Sequence, residues 1–105
     1  MNILFICSRN QWRSRTAESI FSESEDHIVR SAGTASSARI KVSEPIVLWA
    51  DIIFCMEDSH KEILKQRFQV ATRDARIIVL HIEDEYKYMN PELVEELLDA
   101  TAPYF

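Results

Sequence analysis

The chain has 105 residues, 47% of them hydrophobic and 28% charged, with a net charge of -5. That length supports one domain with a modest core and excludes two, the composition excludes a disordered chain, and the acidic surplus argues against general binding to nucleic acid or acidic membranes. The two cysteines, Cys7 and Cys55, make neither a disulfide framework nor a zinc pattern, which fits a reducing, cytoplasmic setting.

Ile3 to Ile6 is a continuous apolar run, the pattern of a strand buried on both faces, and Cys7 ends it. No basic region precedes the run and no segment reaches spanning length, so it reads as neither a signal peptide nor a membrane span. Beyond the cysteine, Arg13 and Ser14 open a segment whose Ala17, Ile20 and Phe21 share one helical face. A thiol therefore sits where a buried strand ends, and a guanidinium follows where a helix begins. Successive backbone N–H groups in such a turn, with the helix N-terminus, make an anion site.

Ser22 to Asp26 is polar and reads as a helix end and loop. His27 to Ala32 is a short second strand with Ile28 and Val29 as its apolar part, running into Gly33, the only glycine. A positive φ or a close backbone approach is expected there. Thr34 to Lys41 reads as a surface loop. Ser43 looks like an N-cap, with Glu44 and Pro45 in the first turn and Val42 placed to staple against Val47, for a short helix to about Ala50. Asp51 to Met56 holds a third buried strand. Asp58 or Ser59 is placed to cap the next helix, in which Leu64 and Phe68 are four apart. Ile77 to Leu80 is a fourth buried strand, followed by the polar segment Glu83 to Met89. Asn90 then caps a last helix with Pro91 at its first position and Leu93, Val94, Leu97 and Leu98 toward the core; Pro103 lies beyond its end.

Solid apolar strands alternating with helices imply a single α/β domain over residues 1–105 with a four-stranded parallel sheet. Ligands bind such sheets beyond the carboxyl ends of the strands. Cys7, Cys55 and the Glu83 to Tyr88 loop all fall on that edge.

Five residues separate Cys7 from Arg13. They can wrap with their N–H groups inward, while Arg13 closes the ring with a bidentate grip on two phosphate oxygens. The same positive field favours the Cys7 thiolate, a nucleophile suited to in-line attack on a phosphomonoester. Its leaving group needs a proton, and Asp84, after the fourth strand, is the best-placed carboxylate to give it. Glu83 and Glu85 are its rivals by position.

Cys7 to Ser14 with Ala17-Glu18, then Ser31-Ala32-Gly33-Thr34, then Ala50-Asp51-Ile52-Ile53 to Met56, then Asp84 and Tyr86, resemble the low-molecular-weight protein-tyrosine phosphatase family, in that order and over most of the chain. The resemblance implies a three-layer domain with sheet order 2-1-3-4 and a phosphate loop after strand 1. It implies Cys7 as nucleophile, Arg13 as phosphate binder and Asp84 as general acid and base. Ser8, Arg9, Asn10, Gln11, Trp12, Ser14 and Tyr86 become the substrate-binding candidates; Asn10 would hold the loop in a left-handed conformation, Ser14 would bond the thiolate, and Tyr86 would flank an aromatic leaving group. The chain departs from the family at Arg9, usually glycine, at Trp12, often a second loop cysteine, and at Glu85, usually proline. It is also shorter between Thr34 and Asp51.

The expected activity is a cytoplasmic phosphatase without metal or cofactor, acting on phosphotyrosine in a protein or on a small aryl phosphomonoester, with neither nucleic acid nor membrane as partner. The alternatives are a redox enzyme like the arsenate reductases, which would need further cysteines, and a phosphate-binding or cysteinyl-phosphate carrier module. Among single residues, Cys55 reads as a core cysteine, with a Cys7–Cys55 disulfide as the minority idea. Trp12 either packs under the loop or walls the pocket. Trp49 reads as core and Tyr88 as a cover for the core's edge. His27, His60 and His81 share no ligand spacing and read as surface or loop histidines. Arg9 and Arg15 read as solvated charges that attract substrate.

Overall fold

The computed structural model describes all 105 residues. Strands β1 (Asn2–Cys7), β2 (Ile28–Gly33), β3 (Ile52–Cys55) and β4 (Arg76–Val79) alternate with helices α1 (Arg13–Ile20), α2 (Glu44–Trp49), α3 (Asp58–Arg67) and α4 (Pro91–Thr101). The sheet is wholly parallel, in the order β2-β1-β3-β4. The two central strands are the solid apolar runs, which need helices on both faces to leave water. Successive residues point to opposite faces, so Ile3, Phe5, Cys7, Ile52 and Phe54 join Ala17, Leu93 and Leu97 in one core. Leu4, Ile6, Ile53 and Cys55 join Val42, Ile46, Val47 and Leu64 in the other. Each large side chain so buried contributes roughly 1.5–3 kcal/mol, and the stacked rings of Phe5 and Phe54, 5.1 Å apart, tie the central strands together.

This alternation corrects the disulfide idea. Cys55 pairs in register with Ile6, so its side chain lies on the α2–α3 face while Cys7 lies on the α1–α4 face. Burial pushes the Cys55 thiol up to about 12, which leaves it a protonated core group.

The edge strands are less buried than their composition suggests. Ile28 is 63% exposed and the buried part of β2 is Ser31 to Gly33. In β4, Ile77 and Ile78 are only half-buried. Each has a sheet neighbour on one side only. Leu98 is exposed, because the core face of α4 runs through Leu93, Leu97 and Thr101 at four-residue spacing. Trp49 is half-buried, with the Arg30 guanidinium 5.2 Å from its ring, rather than core. Glu57, not Asp58 or Ser59, stands at the cap position of α3.

Gly33 has no positive φ; it is required by close approach. A Cβ there would stand 2.5 Å from the Ser8 carbonyl oxygen and 2.7 Å from the Ala38 side chain. The loop after Gly33 is tied back by a bridge to Lys41, and Thr34 is buried within it. It supports the turn that follows β1.

Candidate active site

The turn from Ser8 to Trp12 lies between the end of β1 and the first turn of α1. Trp12 makes no side-chain cap, so the first N–H groups of α1 have no capping partner from that position. Asn10 takes φ 56°, a left-handed conformation that asparagine tolerates better than most residues. The turn folds back over the sulfur: Asn10 N–H donates to Cys7 Sγ at 3.2 Å, and Ser14 Oγ lies 2.9 Å from the same atom. Asn10 Nδ2 donates to Ser14 Oγ at 2.8 Å, which orients that hydroxyl. Cys7, Asn10 and Ser14 are all buried.

Arg13 is 2% exposed, and its charge is met from two elements. Nη1 donates to Glu57 Oε2 at 2.6 Å and to the Ile82 carbonyl at 2.8 Å. A guanidinium has five N–H donors in a planar fork, so these bonds engage Nη1 and leave the Nε–Nη2 edge without a hydrogen-bond partner, in a residue that lines the cavity. That edge carries two parallel donors, the pattern that grips two oxygens of one phosphate. Asp84 Oδ1 lies 3.7 Å from Nε, an ionic contact at the rim. The hydrogen bond from Arg13 holds the Glu57 carboxyl below its ordinary range.

Cys7, Arg9, Gln11, Trp12, Arg13 and Asp84 line a cavity of about 210 Å³. Trp12 is therefore a wall of the cavity, the second of its two readings. Arg9 is exposed and makes no ion pair. Asn10 and Ser14 act from beneath the turn. Ser8 points away from the cavity, with Oγ 2.9 Å from His60 Nε2. Tyr86 does not join the lining either: it packs on the α1–α4 core and donates its hydroxyl to Glu96 at 3.3 Å. Tyr88 meets Ser19 at 2.6 Å, with the Arg15 guanidinium 4.3 Å from its ring. No three of the His, Cys, Asp and Glu side chains cluster as metal ligands.

Three residues around the turn were not legible as site residues. Arg39 donates Nε to the Asn10 carbonyl at 3.1 Å and its backbone N–H to the Arg9 carbonyl. Glu57 holds Arg13, as above. His60 corrects the surface reading: it is 1% exposed, in the first turn of α3. Burial, with Arg13 nearby, pushes its imidazole down to about 4, so it is neutral at pH 7. The Glu57–His60 spacing, cap position to third helical residue, was the available signal, since those positions reach one another in a capping box.

No family model matches the sequence, and no curated protein matches it significantly. Solved structures do. YwlE arginine phosphatase from Geobacillus stearothermophilus is 20% identical, with a TM-score of 0.72 over 97% of this chain and 90% of its own. The low-molecular-weight protein tyrosine phosphatase SP-PTP from Streptococcus pyogenes is 14% identical, with a TM-score of 0.71 over 99% and 93%. Vibrio vulnificus Wzb in complex with benzylphosphonate is 19% identical, with a TM-score of 0.73 over 98% and 95%. The chain thus has the fold of the low-molecular-weight protein tyrosine phosphatases, as the resemblance implied.

Proposed function

We propose that the protein is a cysteine-dependent phosphatase of this class that hydrolyses phosphotyrosine, or a small aryl phosphomonoester, through a cysteinyl-phosphate. One observation carries the reading: a buried thiol, ringed by an N–H and a hydroxyl, lies at a cavity whose other walls include a fixed guanidinium and a carboxylate. The fold shared with named phosphatases supports it, and the benzylphosphonate bound to Wzb supports an aryl substrate.

In the first step the Cys7 thiolate attacks phosphorus in line, the ester P–O bond breaks, and the leaving oxygen takes a proton from Asp84. Arg13 and the backbone N–H groups of the turn hold the equatorial oxygens, where charge is spread in the transition state. In the second step water attacks phosphorus, Asp84 takes its proton, and the S–P bond breaks to release phosphate and the thiolate. Ser14 steadies the sulfur in both steps. On this reading Cys7, Arg13 and Asp84 take the catalytic roles that the resemblance implied, Asn10 and Ser14 support the turn and the sulfur from beneath, and the side chains of Ser8 and Tyr86 serve elsewhere.

A redox reaction of the arsenate-reductase kind would need a second thiol to reach Cys7, and Cys55 lies on the other side of the sheet. A carrier would have no use for Asp84 at the cavity. Cytoplasmic placement belongs to the same proposal; no helix is long and apolar enough to cross a membrane. The test is metal-free hydrolysis of nitrophenyl phosphate and of a phosphotyrosine peptide, with phosphoarginine as the comparison substrate. Wild type should turn over the aryl esters, and Cys7→Ser should not. Equal turnover by Cys7→Ser would sink the reading.

A further inference from the structure

The first turn of α3 touches the phosphate loop at both of its ends. Glu57 takes Arg13, the last member of the loop, at 2.6 Å, and His60 takes Ser8, the first residue after the thiol, at 2.9 Å. The two are linked to each other. His60 Nδ1 accepts the Glu57 backbone N–H at 3.1 Å, and the His60 backbone N–H donates to the Glu57 carbonyl at 3.1 Å.

These contacts fix the imidazole's tautomer. Nδ1 accepts a backbone N–H, so in the neutral ring the proton is on Nε2. Nε2–H must then donate to Ser8 Oγ. The bond is directional, buried at the His60 end, and reaches across 52 residues of sequence. It turns the Ser8 side chain toward α3, while the Ser8 carbonyl accepts the Ala35 N–H at 2.8 Å, so the start of the loop is held from two sides.

We propose that His60 is a positioning residue for the phosphate site: through Ser8 it holds the start of the loop in the anion-binding conformation, while Glu57, one helical turn earlier, holds the end. This rests on the phosphatase reading for its consequence in catalysis, but not for its consequence in anion binding. Loop N–H groups aimed at one point gain from being fixed before the anion arrives; a loop freed at one end must be ordered by the ligand instead, which weakens binding. His60 touches neither the cavity nor the reacting atoms and acts through Ser8.

The test uses the full chain with Ser8→Ala, His60→Leu, the double variant and His60→Gln. The glutamine amide carries an acceptor and a donor in one side chain, as the neutral imidazole does, and glutamine is native to this helical position in capping boxes. Inorganic phosphate affinity is read by calorimetry, and kcat and KM with nitrophenyl phosphate. Ser8→Ala and His60→Leu should each weaken phosphate binding about tenfold, the double variant no more than either single, and His60→Gln should recover most of the loss. A purely structural histidine would lower thermal stability and leave the Ser8→Ala affinity at the wild-type value.

If His60→Leu does not fold, Ser8→Ala and His60→Gln still decide. Wild-type phosphate affinity in Ser8→Ala, or additive losses in the double variant, overturns the proposal. Failure of wild type to hydrolyse any ester overturns the phosphatase reading alone, since the clamp is judged on phosphate binding.

Discussion

Glu57 Oε2 lies 2.6 Å from Arg13 Nη1, and the two differ sharply in setting: the arginine is 2% exposed and the glutamate 43%. Removing the partner of a buried charge leaves that charge uncompensated. Because Glu57 faces solvent, the loss is smaller than for a fully buried pair, and Glu57→Gln should cost about 1 kcal/mol by chemical denaturation. It should also lower kcat/KM about tenfold, as Arg13 loses its fixed orientation.

The same pair has a pH signature. The Glu57 carboxyl is held below its ordinary value of 4.5 by its hydrogen bond to Arg13. A depressed carboxylate contributes stability that is present above that ordinary value and lost as pH falls through the folded one. The stability difference between wild type and Glu57→Gln should therefore be constant near neutrality and shrink as pH falls below about 4.5.

His60 acts in the adjoining window. Its folded pKa of about 4 lies below the ordinary 6.5, with burial the leading cause and Arg13 the next. Between those values the unfolded chain binds the proton and the folded one does not, so stability rises with pH. Acidifying from 6.5 to 4 should weaken the wild type, and His60→Gln should flatten the slope in denaturation curves taken at half-unit steps. An unchanged slope would show that other groups govern the window.

Asp84 lines the cavity with its carboxylate 3.7 Å from Arg13 Nε. Asp84→Asn should slow phosphotyrosine hydrolysis by about 10²–10⁴-fold, and an activated nitrophenyl ester less, since a good leaving group needs less protonation. Equal slowing of the two substrates removes Asp84 from the acid's role and turns attention to Glu83. Glu85 is not among the residues that line the cavity.

Gly33→Ala tests the close approach directly. The added methyl would meet the Ser8 carbonyl at 2.5 Å, a backbone atom that cannot rotate away. Since Gly33 has no positive φ, the cost is steric rather than conformational. About 1–3 kcal/mol of stability should be lost, in the range of overpacking substitutions, and phosphate affinity should fall with it.

The central half of the fold was open to reading because β1 and β3 are buried on both faces, and only a continuous apolar run does that. Edge strands carry less such constraint, which is why Ile28 and Ile77 misled about burial. At the site, Cys7, Arg13 and Ser14 were legible since loop, strand end and helix start lie close in sequence. Glu57 and His60 were not, because their partners lie 44 and 52 residues away and only the β1–β3 pairing brings them together. Tyr86 misled for the opposite reason: it is next but one to Asp84 in sequence, yet the loop turns it onto α4.

The placement of the two cysteines on opposite faces of the sheet has a consequence for oxidative stress. A sulfenic acid formed at Cys7 has no resolving thiol within the chain, and Trp12 lines the cavity from within the turn itself. Recovery then depends on small thiols diffusing in from outside, in competition with further oxidation that cannot be reversed by them. The abundance of such thiols in the cell, rather than any exchange within the protein, should set how long activity survives peroxide.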